Sequence, residues 1–346
     1  MHPSAILLIV SCALACGAGC SSTPRITAPS DRVYLATYFL DNGQDGVYLV
    51  ASEDALRFEP IVSPNVPILK PQIGKERLTR DACLLRGPDG TWHMTWTTGW
   101  WENGFGIAHS KDLVNWSAQQ YVQPMSDQPG AVNCWAPEIA FDPARGEYLL
   151  FWSSTVLGAF PETEAAGDDG PDHQKCNHRI YSTTTKDFIT FTPERLYYNP
   201  GFNCIDATLL APDAPGAAWH LFFKDETRYP PSKNIRHLAI DDPLKAAGKP
   251  SEPITGAYWA EGPSAIRIDG KVRVFFDRYA DNRFGAVESA DYEHWTDISD
   301  RISFPRDARH TTVVEVDRAT ADRVRRELEA RRAVAAVPAP STDPHE

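Results

Sequence analysis

Three carboxylates stand at the starts of three apolar, strand-like runs that lie far apart in the chain. They are Asp81 in Arg80-Asp81-Ala82-Cys83-Leu84-Leu85, Asp206 in Cys204-Ile205-Asp206-Ala207-Thr208-Leu209, and Glu261 in Trp259-Ala260-Glu261-Gly262-Pro263-Ser264. Acid/base work on a glycosidic bond needs carboxylates that converge from different elements, one to protonate the leaving oxygen and one to activate water. Any one of these acids alone reads as a turn or cap residue; the three in series read as a catalytic set. Trp100, Trp135 and Trp259 offer flat faces to a sugar ring. Arg80 and Arg309 fit either a structural ion pair or the orientation of carboxylates and sugar hydroxyls. Glu138 and the Asp225-Glu226 pair read as decoys outside the catalytic set, Glu138 fitting strand-end ion pairing as well as a place in the pocket, and His310 fits a core hydrogen bond as well as a place beside an ion.

Positioning such a set requires a fold that brings distant strand starts together. From Arg32 the chain consists of short β-type runs, such as Val33 to Leu40, Trp92 to Thr97 and Val272 to Phe276, separated by Gly, Asp, Asn and Pro. A repeat of the form Ser/Thr-x-Asp-x-x-x-aromatic runs through them. It occurs at Ser52 to Phe58, Ser110 to Trp116, Thr185 to Phe191 and Ser289 to Trp295, with a degenerate copy at Ala239 to Leu244. The spacing suits a four-stranded propeller blade with variable loops, the terminal aromatic packing between blades. Interleaved inner-strand starts fall at Asp81, Trp135-Ala136-Pro137-Glu138, Asp206, Glu261 and His310, which makes the three carboxylates three of five equivalent positions. The chain is therefore expected to be all-β, a five-bladed β-propeller in which N- and C-terminal strands share a blade, with a short C-terminal helix. That closure would put a terminal strand between those of Asp81 and Glu261 and remove exposed edges. The acidic, Gly/Pro-containing segment from Gly158 to Lys175 reads as a long loop at the mouth of the site.

The chain has 346 residues, 42% of them hydrophobic, enough for a sizeable core, and ten tryptophans. A net charge of −12 with no basic stripe argues against nucleic acid as a partner. Residues Ala5 to Ala15 form an apolar run too short to span a bilayer, followed by Gly17-Ala18-Gly19-Cys20. This resembles a bacterial lipoprotein signal with Cys20 as the lipidated residue, although no Lys or Arg precedes the apolar run. The expected organisation is a signal peptide over 1–20, a tether over 21–31, the propeller over 32–317, and a C-terminal helix with a disordered tail over 318–346. Membrane contact would come only through the lipid at Cys20, placing the protein in the periplasm or at the cell surface. Cys83, Cys134, Cys176 and Cys204 fit no zinc spacing and read equally as buried thiols or a bridge.

The order of Asp81, Ile205-Asp206 and Glu261-Gly262-Pro263, together with Trp135-Ala136-Pro137-Glu138, Arg309-His310 and the Ser-x-Asp-x-x-x-Trp turn, resembles family 43 of the glycoside hydrolases. Thr98-Gly99-Trp100-Trp101 and Lys224-Asp225-Glu226-Thr227 are similar to its arabinofuranosidase-like branch. The resemblance covers about Arg32 to Val316 and departs at Ala82, where Pro is common, and at Thr311, where Gly is frequent. It implies an inverting, exo-acting glycosidase on plant-type polysaccharides or oligosaccharides, most closely an α-L-arabinofuranosidase, with β-xylosidase and galactan-directed activities as neighbours. It implies Asp81 as general base, Glu261 as general acid, and Asp206 as the carboxylate that orients the acid and raises its pKa. No cofactor is implied for the chemistry, and a hydrated calcium ion near His310 in the central channel is implied as structural. Retaining fructosidases share the fold class, but their early Asn-Asp-Pro nucleophile is missing, since Asp41-Asn42-Gly43 does not supply it. A sugar-binding surface lipoprotein without activity is the remaining class, and the complete carboxylate set argues against it.

Overall fold

The computed structural model describes residues 31–170 and 175–335. The signal, tether and tail expectations fall on residues outside these. Blade I contains β1 (Arg32–Tyr38), β2 (Tyr48–Ser52) and β3 (Glu59–Pro60). Blade II runs β4 (Arg80–Arg86), β5 (Trp92–Thr97), β6 (Phe105–Ser110) and β7 (Gln120–Val122). Blade III begins with β8 (Trp135–Asp142) and β9 (Glu147–Ser154); a small excursion, β10 (Asp168–Asp169) paired with β11 (Lys175–Cys176), precedes its outer strands β12 (Arg179–Thr185) and β13 (Arg195–Tyr198). Blade IV has three strands, β14 (Cys204–Leu210), β15 (Trp219–Asp225) and β16 (Asn234–Ile240). Blade V has β17 (Glu261–Ile268), β18 (Lys271–Arg278), β19 (Arg283–Ser289) and β20 (Thr296–Asp297). The last strand, β21 (Val313–Asp317), returns to pair antiparallel with β1, Val33 opposite Val316 and Leu35 opposite Val314. The sheet order β21-β1-β2-β3 is the expected shared blade, and it places β21 between the strands of Asp81 and Glu261.

The second strands β5 and β15 are buried at every position and β9 at all but one. Blades stack face to face, so these strands lose the polar/apolar alternation of a one-sided sheet and read as continuous apolar or Thr/Ser runs. The buried apolar residues form five clusters, one in each seam between neighbouring blades. The repeated turn fills these seams. In each full copy the Asp accepts backbone N–H bonds from the residues two and three ahead: Asp112 from Val114 (2.9 Å) and Asn115 (2.7 Å), Asp291 from Glu293 (2.9 Å) and His294 (2.8 Å). The residue between, Ala55, Leu113, Phe188 or Tyr292, is forced to a left-handed φ of 53–67° and points into the seam toward the preceding blade. The terminal aromatic packs in the same seam as expected, Phe58 buried and Trp116, Phe191 and Trp295 half-buried, and Trp116 and Trp295 also donate their indole N–H back to the carbonyls of Leu113 and Tyr292.

After β21 a helix, α1 (Arg318–Ala335), starts on Asp317, whose carboxylate accepts the Thr320 N–H at 2.6 Å as an N-cap. Ala321, Val324 and Leu328 form its apolar stripe against the seam between blades I and II. The described part of the 158–175 segment has more regular structure than a plain loop. It makes a 3-10 turn over Pro161–Ala166 and then the β10–β11 ladder.

Candidate active site

The five inner strands begin alike. Each has one residue in the left-handed region at its entry: Asp81 (φ 54°), Ala136 (44°), Asp206 (53°), Gly262 (56°) and His310 (40°). In four blades a register shift marks a bulge there, between Arg80 and Cys83, Trp135 and Glu138, Ile205 and Thr208, and Glu261 and Ser264. A bulge breaks the two-residue alternation of a strand and re-aims its side chains. Two consecutive residues of one strand can therefore face one cavity, as Arg80 and Asp81 and Ile205 and Asp206 do; Arg309 and His310, ahead of β21, face it as well. Asp81 and Asp206 occupy the left-handed position itself, which Asp tolerates better than most residues. Glu261 stands one position earlier, in the register of Arg80 and Arg309, so the three carboxylates are not strictly equivalent as the sequence pattern suggested.

These strand starts surround a cavity of about 520 Å³ walled by Asp81, Asp206, Glu261, Arg80, Arg309 and His310. Side chains of neighbouring blades catch the backbone N–H of the left-handed residues. Thr97 accepts from Ala136 (2.8 Å) and Ser153 from Asp206 (3.0 Å). Asp206 Oδ2 accepts from Gly262 (3.0 Å), which ties the third carboxylate to the backbone beside Glu261. Asp81 takes a hydroxyl bond from Thr97 on Oδ2 (2.8 Å) and faces His310 Nδ1 with Oδ1 (3.4 Å). His310 in turn rests on Gly262, where a Cβ would lie 2.6 Å from its Nδ1.

Electrostatics place the proton differently from the sequence-based expectation. Burial, then the neighbouring Glu261, push the Asp206 carboxyl well above the usual carboxylate range. Burial acts on Glu261 in the same sense, but Lys224 and Arg309 outweigh it and lower its carboxyl to about 2. Lys224 Nζ donates to Oε2 at 2.9 Å and Arg309 Nη2 to Oε1 at 2.8 Å. Burial and the neighbouring Glu261 thus favour the proton on Asp206, while Lys224 and Arg309 favour an ionised Glu261, whereas the expected effect of Asp206 was to raise Glu261. Two cations on one carboxylate outweigh one neighbouring anion.

Other expected residues fall as follows. Trp100 and Trp135 join the wall, with Trp101 beside them. The Trp135 indole donates to the Trp100 carbonyl (2.6 Å), and the Trp101 and Trp135 ring centres lie 5.3 Å apart. Arg80 lies over the Trp100 ring (4.3 Å) and donates to Asn42 (2.9 Å). Arg309 forms an ion pair with Asp277 as well as Glu261. Trp259 stands outside the wall, its ring against Tyr279 at 5.8 Å. Glu138 is also outside it, buried beneath, accepting from the Thr208 hydroxyl at 3.1 Å; among the described residues it has no ion pair, and burial raises its carboxyl to about 8. The four described cysteines are buried free thiols. Around His310 the donor set is one imidazole and one carboxylate, and no cluster of three or more His, Cys, Asp or Glu side chains suited to a metal occurs among the described residues. That falls short of the oxygen-rich shell calcium takes.

Sequence reasoning missed Lys224, Glu226, Tyr279 and the Asp168-Asp169 pair, all of which line the cavity. Lys224-Asp225-Glu226 was visible as a motif, and alternation puts Lys224 and Glu226 on one face, but the sequence does not say which face meets the cavity. At the end of β15 both Lys224 and Glu226 turn inward.

An α-L-arabinofuranosidase of Bifidobacterium longum subsp. longum is 24% identical over 224 residues, which are 55% of this chain and 20% of that protein. The match therefore spans about a fifth of that relative's length. The crystal structure of an α-L-arabinofuranosidase from Lactobacillus brevis superposes with a TM-score of 0.50 at 16% identity, over 63% of this chain and 72% of the other. An exo-β-1,3-galactanase from Phanerochaete chrysosporium follows at a TM-score of 0.49 and 15% identity, over 64% and 50%. Residues 31–322 match the sequence profile of the family-43-related group described as "Probable glycosyl hydrolase domain"; the chain belongs to that family, and its fold is the five-bladed propeller.

Proposed function

We propose that the protein is an inverting, exo-acting glycosidase that releases α-L-arabinofuranosyl groups from plant-type glycans. In this reading Asp81 is the general base, Glu261 the general acid, and Asp206 the carboxylate that holds their shared proton in reserve. One observation carries it: carboxylates from three different blades face one cavity, and Asp206 is hydrogen-bonded to the backbone immediately after Glu261. Inversion needs base and acid on opposite sides of the sugar, typically about 6.5–9.5 Å apart, so that water fits beside the base. Asp81 and Glu261, on strands that flank β21, suit that arrangement. Entering sugar hydroxyls compete for the N–H groups of Arg309 and Lys224. As these cations loosen from Glu261, its proton affinity rises and the proton held by Asp206 becomes available to it. The arabinofuranoside specificity is supported by the Bifidobacterium relative.

The test is a panel of arabinofuranosides, xylosides and galactosides with leaving groups of graded acidity, with the product anomer read by NMR. Glu261→Gln should lose about 10²–10⁴-fold on unactivated linkages and little on dinitrophenyl glycosides, which need no acid. Asp81→Asn should lose activity on both. A retained anomer, or unchanged activity in both variants, would refute the assignment. We also infer export with a lipid at Cys20, supported by the apolar run and small residues before it. Palmitate labelling that persists in Cys20→Ala would exclude that anchor.

A further inference from the structure

Beyond the reacting groups, the cavity floor carries a continuous chain of alternating charges. Asp168 of β10 meets Lys233 (2.6 Å), Lys233 meets Glu226 (2.5 Å), and Glu226 meets Lys224 (2.6 Å). Lys224 then meets Glu261 (2.9 Å), Glu261 meets Arg309 (2.8 Å), and Arg309 meets Asp277 (2.5 Å). Lys224 and Lys233 are each 2% exposed at the side chain and Glu226 is 9%. Removing one partner from a buried chain of this kind redistributes the others, because no water replaces the lost charge. Lys224 sits at the branch: its aligned hydrogen bond goes to Glu261, while its contact with Glu226 is an ion pair whose Oε2 has no aligned donor among the described residues.

We propose that Glu226, held between Lys224 and Lys233 and tied through Lys233 to Asp168 at the cavity rim, is a positioning residue for Glu261. By sharing Lys224 it limits how tightly that cation grips the acid, and so keeps Glu261 able to take up and deliver a proton. The proposal rests on the assignment of Glu261 as the proton donor. The other groups facing Glu261 do not substitute for Glu226. Arg309 and His310, before β21, act on Glu261 in the same direction as Lys224. Asp206 on β14 is the proton's other seat, and Asp277 on β18 is already engaged with Arg309. Tyr279, which follows β18, lies under Lys224, whose Nζ is 4.5 Å from its ring centre, and Asp81 on β4 is bound to Thr97. Glu226 is therefore the acidic group placed to draw Lys224 off Glu261.

The readout is the alkaline limb of the pH profile of kcat/KM on an unactivated arabinoside, which reports loss of the proton shared by Asp206 and Glu261 in the free enzyme. Glu226→Gln frees Lys224 to act wholly on Glu261, so the limb should move down by about one pH unit. Lys224→Met removes the cation, and the limb should move up by about the same amount. Asp168→Asn should move it down by a smaller step through Lys233. Its carboxylate is a third exposed, so this variant carries the test if Glu226→Gln does not fold. A purely structural role would lower kcat without moving the limb. The proposal is overturned if the limb stays in place, or moves the same way in Glu226→Gln and Lys224→Met, while Glu261→Gln still shows the leaving-group dependence of a lost acid. If Glu261→Gln shows no such dependence, the assignment of the acid fails first and the proposal falls with it.

Discussion

Gly262→Ala separates backbone strain from steric pressure in the site, because the propeller supplies its own controls. Four of the five equivalent left-handed positions carry a side chain: Asp81, Ala136, Asp206 and His310. The backbone conformation alone should therefore cost an alanine only about 1–2 kcal/mol. The clash is specific to blade V. A Cβ at residue 262 would lie 2.6 Å from His310 Nδ1 and 2.9 Å from Cγ and Cε1, so the ring must retreat by about 0.8 Å to reach ordinary contact at 3.4 Å. It has little freedom to do so, since its backbone N–H is bound to Asp277 (3.3 Å) and Nδ1 lies 3.4 Å from Asp81. Overpacking of this kind costs about 1–3 kcal/mol. Displacing a catalytic constellation by about 1 Å costs about 100-fold in rate. The expected result is a lower urea midpoint with kcat/KM reduced about 100-fold. The double variant Gly262→Ala/His310→Ala should then recover part of the lost stability, because it removes the ring that the Cβ meets. Additive losses in the double variant, or a single variant within threefold of the parent in kcat/KM, would refute the argument that His310 transmits the clash to the base.

Two further outcomes follow from the seams and the mouth. His220 and His237 pair at 2.8 Å against Tyr292, and burial lowers each to about 4. A depressed imidazole binds its proton more readily in the unfolded chain. Its contribution to stability is thus present above about pH 6.5 and lost as pH falls toward 4, at most about 1.4 kcal/mol per unit for each His. His220→Phe/His237→Phe should flatten the fall in urea midpoint between pH 6.5 and 4.5 relative to the parent; parallel curves would show that this seam does not sense pH. At the cavity mouth Trp101 is 41% exposed against Trp135. Trp101→Ala should raise KM about 3–10-fold with kcat nearly unchanged, the mark of lost uniform binding, and a fall in kcat alone would contradict a platform role.

The ring was legible because a propeller is built from local repeats. Ser110 to Trp116 and its copies form the same Asx-type turn each time, and β21 closes the blade that the unpaired His310 strand start required. Which side chains share the cavity was less legible. Alternation over two residues predicts one inward side chain at each strand start, but the entry bulges turn two inward, which is why Glu261 could stand one place off the register of Asp81 and Asp206. Trp259, two residues before Glu261, lies outside the wall with its ring 5.8 Å from that of Tyr279. Glu138, four residues into its motif, passes below the cavity to Thr208. Lys224 was hidden more deeply: a lysine inside an apolar strand gives no sign of its partners until Glu226 and Glu261 are seen on either side of it.

Those partners decide the site's chemistry as much as the three strand-start acids do. Asp81, Asp206, Glu226, Glu261 and the Asp168-Asp169 pair outnumber Arg80, Lys224 and Arg309 in the wall. An excess of carboxylates in a half-enclosed site must be relieved by a proton or by a cation. Here Lys224 and Arg309 relieve Glu261 while Asp206, without an ion-pair partner of its own among the described residues, takes the proton. In the proposed mechanism a neutral sugar would add no charge to this balance, but its hydroxyls would exchange hydrogen bonds with the two cations and shift the proton toward Glu261. An anionic sugar would add to the excess it meets. If Glu261 is the acid, as proposed, the arrangement that holds it ionised would favour neutral glycans and make its protonation respond to their arrival.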